Sequence, residues 1–121
     1  MIPTNRTDQT IGPLLISLTN QIFPPHEIII VADIDFTDSK TESSYKQYIE
    51  TLIRGHSYTL ITHSTHPDFI PGQGASYVRN YGIQKATSDY ILCIDDDNIL
   101  DATMMDQLRK DYTAIDLPAK Q

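Results

Sequence analysis

The run "EIIIVAD" at positions 27–33 restricts the fold more than any other part of the chain. Ile28, Ile29, Ile30 and Val31 are all β-branched, which favours a strand over a helix. Successive side chains of a strand point to opposite faces, so a strand of this composition is apolar on both. Both faces then need cover, which is the situation of a parallel sheet whose strands are joined by helical crossovers.

The flanking sequence supplies those crossovers. Ile11, Leu14, Leu15, Leu18 and Ile22 recur at helical spacing, with Asp8 placed to cap the segment and "FPP" at 23–25 to stop it. Tyr45, Tyr48, Ile49, Leu52 and Ile53 repeat the pattern after a polar loop in which Ser39 or Thr41 is the expected cap; Gly55 closes the segment. "YTLITH" reads as a short strand. A helix over 75–86 carries Ala75, Val78, Gly82, Ile83 and Ala86 on one face, small enough to approach a sheet closely. "DYILCID" is the next strand, a buried one, followed by a helix over 103–112 and a loose tail at 117–121. "MIPT" reads as the end of a first strand. Strands alternating with helices predict an α/β fold: a three-layer, Rossmann-like arrangement around a mostly parallel sheet, in one domain of 121 residues.

Right-handed crossovers bring the carboxyl ends of parallel strands to one edge, where open α/β sheets bind ligands. The polar residues that directly follow the strands therefore converge: Asn5 and Arg6, Asp33 and Asp35, and Asp95, Asp96 and Asp97. Three adjacent carboxylates carry a cost, since two about 6 Å apart repel by roughly 3 kcal/mol at an effective dielectric of 20. Splayed into water the run is a solvated turn. Around a divalent cation the repulsion becomes attraction. Asp95 and Asp97 stand two apart and share a side in extended chain, a suitable bite for Mg²⁺ or Mn²⁺, whose remaining ligands are often substrate phosphates.

The formal net charge of -7 argues against a nucleic-acid backbone or an anionic membrane as the main partner. No apolar run reaches the ~18 residues of a membrane span, and no signal peptide opens the chain. The single cysteine, Cys93, suits a reducing, cytoplasmic setting and reads as a small buried hydrophobe. His63 and His66 form H-x-x-H without further ligands at diagnostic spacing for zinc.

"IPTNR", "SLTNQIFPPHEIIIVAD" and "GASYVRNYGIQKATSDYILCIDDD" together resemble the nucleotide-sugar-binding half of a family 2, GT-A fold glycosyltransferase. The family pattern is a strand ending in Pro-Thr-Tyr-Asn, a helix with Ser-Leu-x-x-Gln, a strand ending in an Asp pair, Ala-Arg-Asn-x-Gly, and a strand ending in the DxD motif. The order and spacing of these motifs carry the resemblance more than any one of them. It implies that Pro3 and Thr4 sit against the nucleoside, that Asp33 accepts a hydrogen bond from uracil or guanine, and that Arg79 approaches the base or the phosphates. Asp95 and Asp96 would face the ribose or the metal. Asp97 would be the direct ligand of Mn²⁺ or Mg²⁺, which acts as a Lewis acid on the departing diphosphate of a UDP- or GDP-linked sugar. Read from the residues alone, Asp33 serves equally as a strand terminator and Arg79 as helix cover.

Four departures from the pattern stand out. The first strand is shorter by about five residues, the tyrosine after Thr4 is missing, and Ala32 stands where the family often has Asp. Only 24 residues follow Asp97, so the acceptor site and catalytic base of the family's second half have no counterpart, and the expectation is a donor-binding part that needs a C-terminal half or partner chain for transfer. A non-catalytic nucleotide-binding module is the alternative. A receiver-like Mg²⁺-binding signalling domain fits less well, because only Lys110 and Lys120 follow the acidic cluster.

Overall fold

The computed structural model describes residues 1–113. The tail at 117–121, with Lys120, lies outside them. The elements are β1 (Ile2–Thr4), α1 (Ile11–Thr19), β2 (Ile28–Ala32), α2 (Ser39–Ile53), β3 (Tyr58–Ile61), α3 (Ala75–Lys85) and α4 (Met104–Thr113). The three strands form a parallel sheet in the order β1-β2-β3. Ile2 pairs with Ile30 and Thr4 with Ala32 on one side of β2, and Ile28 pairs with Tyr58 on the other.

β2 shows why its sequence reads as it does. Ile28, Ile30 and Ala32 enter one apolar cluster with Leu14, Leu15 and Leu18 of α1 and Tyr45, Ile49 and Ile53 of α2. Ile29 and Val31 enter the other, with Val78 and Tyr81 of α3 and with Phe69. Each strand residue thus meets a helix on its own face, and every residue of β2 is buried. The result is the three-layer α/β/α arrangement. Within α3, a β-carbon added to Gly82 would lie 3.0 Å from Val31 Cγ2, so the missing side chain sets how closely this helix approaches the sheet. Ala75 is exposed rather than buried on that face, and Tyr81 is buried instead.

Three local expectations are corrected. Asp38, not Ser39 or Thr41, caps α2: its Oδ1 accepts from Thr41 N–H at 2.6 Å and its Oδ2 from the Thr41 hydroxyl at 2.9 Å. Asp8 folds a turn onto Thr10 N–H rather than capping α1, whose N-cap is Thr10, and α1 stops at Thr19, leaving Ile22 67% exposed. The segment 90–94 is not a ladder strand. Met1 N donates to Leu92 O at 2.7 Å and Ile94 N to Met1 O at 3.0 Å, so the segment lies beside β1 in parallel sense, opposite β2. Ile94 is buried, Leu92 and Ile91 pack partly buried against the two apolar clusters, and Tyr90 and Cys93 are exposed, against the expectation of a buried thiol.

After the acidic turn the chain returns to α1. The Ser17 hydroxyl accepts from Leu100 N–H at 3.1 Å. Gln21, buried, donates to Asp101 O at 2.7 Å and to Ser17 O at 3.0 Å, and accepts from Met105 N–H at 3.0 Å. Two residues of the Ser-Leu-x-x-Gln run therefore anchor the segment that leads into α4. Among the described residues no helix is long and apolar enough to cross a membrane. Replacing Gln21 by Ala removes the partners of the part-buried Asp101 carbonyl and Met105 N–H, and urea unfolding should show a loss of about 1–2 kcal/mol; an unchanged midpoint would show that the anchor carries no stability.

Candidate functional site

The carboxyl ends of β1, β2 and the 90–94 segment meet at one edge of the sheet. There, Pro3, Thr4, Asp33, Asp95, Asp96 and Asp97 line a single cavity of about 450 Å³. Asn5 and Arg6 continue its wall from β1, and Gly74, Ala75 and Val78 close it from the start of α3. The parallel topology brings side chains up to 94 positions apart to the same edge. Asp35 and Arg79 do not line the cavity; both are exposed, Arg79 one position beyond Val78 on α3.

The three acids divide by exposure. Asp95 and Asp97 are exposed, whereas Asp96 is 7% exposed. Its carboxylate is turned inward, where Oδ2 accepts from the buried Thr4 hydroxyl at 2.8 Å. The same hydroxyl oxygen accepts from Arg6 N–H at 3.3 Å, which fixes the chain as it leaves β1. Asn98 N–H donates to Asp95 O at 3.3 Å and closes the turn. The alternation that leads out of the strand-like segment thus sends the middle acid into the protein and the outer two toward solvent.

Asp33 also has a structural partner. Its Oδ1 accepts from Gly72 N–H at 2.8 Å, which leaves Oδ2 available. The loop it holds leads into α3 through Gly72 and Gly74, with φ of 85° and 97°, a left-handed conformation that favours glycine. No side chain caps the first turn of α3, so its N–H groups stay available beside the cavity.

The wall of the cavity is strongly acidic: four carboxylates and one cation, Arg6. Among the described residues no three His, Cys, Asp or Glu side chains are grouped to hold a metal ion by themselves. Asp95 and Asp97 supply at most two hard oxygen donors, which suits an ion that takes its other ligands from phosphate and water. His63 and His66 are engaged elsewhere, with Phe69 O and the Thr65 hydroxyl, both at 2.8 Å. A larger apolar cleft of about 840 Å³ opens at the opposite edge, between Phe23, Ile28, Leu92 and Leu108, away from all of these acids.

The sequence profile of glycosyl transferase family 2 matches residues 1–115. The chain belongs to that family. No curated protein sequence matches it. Among solved structures it is similar to S. aureus TarS, with a TM-score of 0.61 and 18% identity over 93% of this chain and 19% of that one. A structure of TarS residues 1–349 gives 0.65 and 22%, covering 93% of this chain and 31% of that one. The same region in complex with UDP gives 0.59 and 21%, covering 94% and 31%. These likenesses establish a GT-A type fold, of which the chain spans a part. On this family 2 framework Asn5 and Arg6 line the cavity as their place after β1 implies, and the lining residues that sequence reasoning passed over are Gly74, Ala75 and Val78, which depend on how α3 docks.

The division of the acids has a measurable consequence. Asp96→Ala removes the acceptor of a buried hydroxyl and should cost about 1–3 kcal/mol in thermal or urea unfolding. Asp95→Ala and Asp97→Ala should change stability by less than about 0.5 kcal/mol, or raise it by relieving repulsion. Equal losses at all three positions would contradict the division.

Proposed function

We propose that the chain binds a nucleoside-diphosphate sugar in the 450 Å³ cavity and serves as the donor-binding part of a family 2 glycosyltransferase. The observation that carries this reading is the meeting of Asp33, Pro3 and the acidic turn in one cavity at the carboxyl edge of the sheet. Family membership supports the reaction class, transfer of the sugar to an acceptor hydroxyl. The solved structure of TarS with UDP supports uridine as the nucleoside.

In this reading Pro3 and Asp33 receive the base. Asp33 Oδ2 is free to accept from the N–H edge of uracil, while Oδ1 keeps its bond to Gly72. Arg6 and the first-turn N–H groups of α3 offer positive charge to the diphosphate, as helix N-termini do. Arg79, exposed on α3 one position beyond Val78, lies outside the lining. Asp97, with Asp95, would hold Mn²⁺ or Mg²⁺, and such an ion supplies the charge neutralisation that a departing diphosphate requires. The donor set fits it: without a cation the acidic wall repels a diphosphate, and two exposed carboxylates with no third protein ligand leave positions for phosphate oxygens.

Calorimetry with UDP and GDP, with and without Mn²⁺ or Mg²⁺, tests the proposal. UDP should bind more tightly than GDP, binding should need the metal, and Asp97→Ala should weaken it by about ten-fold or more. Equal binding by the variant would remove the metal role, and no binding of either nucleotide would overturn the proposal.

A further inference from the structure

Tyr45 stands on α2, 3% exposed, near Thr4 and Asp96 of the cavity wall. Its hydroxyl is buried and, among the described residues, is the one buried side-chain polar atom with no hydrogen-bond partner. Its neighbours are the residues that hold the acidic turn. Burial pushes the phenol up to about 12; the Thr4 hydroxyl, a hydrogen-bonding neighbour too poorly placed to make a regular bond, pulls the other way, and the negative charge of Asp96 adds to the rise. Phe36 flanks the ring at 5.9 Å between centroids, so the side chain has apolar support along its body and an idle donor at its tip.

An idle buried donor destabilises the conformer that contains it, and a conformer that pairs it is favoured. Of the carboxylates whose charge reaches the hydroxyl, Asp96 acts more strongly than Asp8; it takes one hydrogen bond from Thr4 through Oδ2 and has lone pairs to spare. Asp96 is flanked in sequence by the two exposed acids. A cation or diphosphate engaging Asp95 and Asp97 acts on the same short turn, and through it on Asp96.

We propose that Thr4 and Tyr45 are positioning residues of the nucleotide site that act through Asp96: Thr4 holds the turn in the free chain, and Tyr45 donates to the Asp96 carboxylate once ligand is bound. The inference rests on the nucleotide reading of the cavity. It separates two quantities that a purely structural tyrosine would keep together. In the free chain the hydroxyl contributes no bond, so its removal leaves folding unharmed. In the complex it contributes one, so its removal weakens binding.

The test compares wild type, Tyr45→Phe, Thr4→Ser and Thr4→Val in the full chain, by thermal unfolding without ligand and by calorimetry with UDP and Mn²⁺. Tyr45→Phe should unfold at or above the wild-type temperature and bind UDP with Mn²⁺ about ten-fold more weakly. Thr4→Ser should match wild type in both measurements, and Thr4→Val should fall in both. Tyr45→Phe that unfolds earlier than wild type would show the hydroxyl already paired within the fold and overturn the inference. Unchanged affinity in Tyr45→Phe would overturn it too, leaving the nucleotide reading intact. Failure of the wild-type chain to bind UDP with Mn²⁺ would overturn both, and is recognised without any variant.

Discussion

One hydrogen bond joins the two ends of this architecture: the Thr4 hydroxyl to the Asp96 carboxylate, 92 positions apart and buried. A charged acceptor makes it stronger than an ordinary hydrogen bond, at about 1.5–3 kcal/mol. Its geometric effect exceeds its energy. β1 has three residues, and the 90–94 segment meets it through Met1. The Thr4–Asp96 bond is the further tie that fixes the acidic turn against the sheet edge. Gln21 and Ser17 then hold the chain on the far side of the turn. The turn is clamped at its base and at its exit, and its two outer acids are left to face the cavity.

That arrangement answers the question that three adjacent carboxylates raise. Their mutual repulsion is reduced by sending the middle one inward to a hydroxyl donor and keeping the outer two exposed to water. The remaining negative field is only partly balanced, since Arg6 is the one cation on the cavity wall among the described residues. A wall of this kind favours a cation first and an anion through it. Asp33 contributes in two ways, because one of its oxygens holds the loop that delivers the start of α3 to the cavity. The site is thus assembled by ties between its own lining residues as much as by the sheet beneath it.

Much of this was legible in the sequence. Four consecutive β-branched residues demanded cover on both faces, and β2 has it. Strand–helix alternation placed Asp33 and the acidic run at one edge, because that consequence follows from handedness and needs no side-chain detail. What stayed hidden depended on contacts between distant residues. The expectation of a buried strand at 90–94 failed: the segment bonds to Met1 beside β1 but does not join the ladder of β1, β2 and β3, and Tyr90 and Cys93 are exposed. Asp38 rather than Ser39 or Thr41 caps α2, a shift of one residue among equally good capping types. Tyr45 read as one more apolar position of a helical stripe, and only the fold shows its hydroxyl beside Thr4 and Asp96. The motif Ser-Leu-x-x-Gln was readable as a motif but not as an anchor for the residues after the acidic turn.

The central claim is that the carboxylates of the turn and Asp33 form one nucleotide and cation site. Crystals of the chain grown with UDP and Mn²⁺ test it most directly, through an anomalous difference map at the manganese edge. The account predicts a single strong peak beside Asp97 and Asp95, with the uracil ring against Pro3 and its N–H toward Asp33. A nucleotide lodged in the apolar cleft at the opposite edge, or a manganese peak remote from the acidic turn, would contradict it.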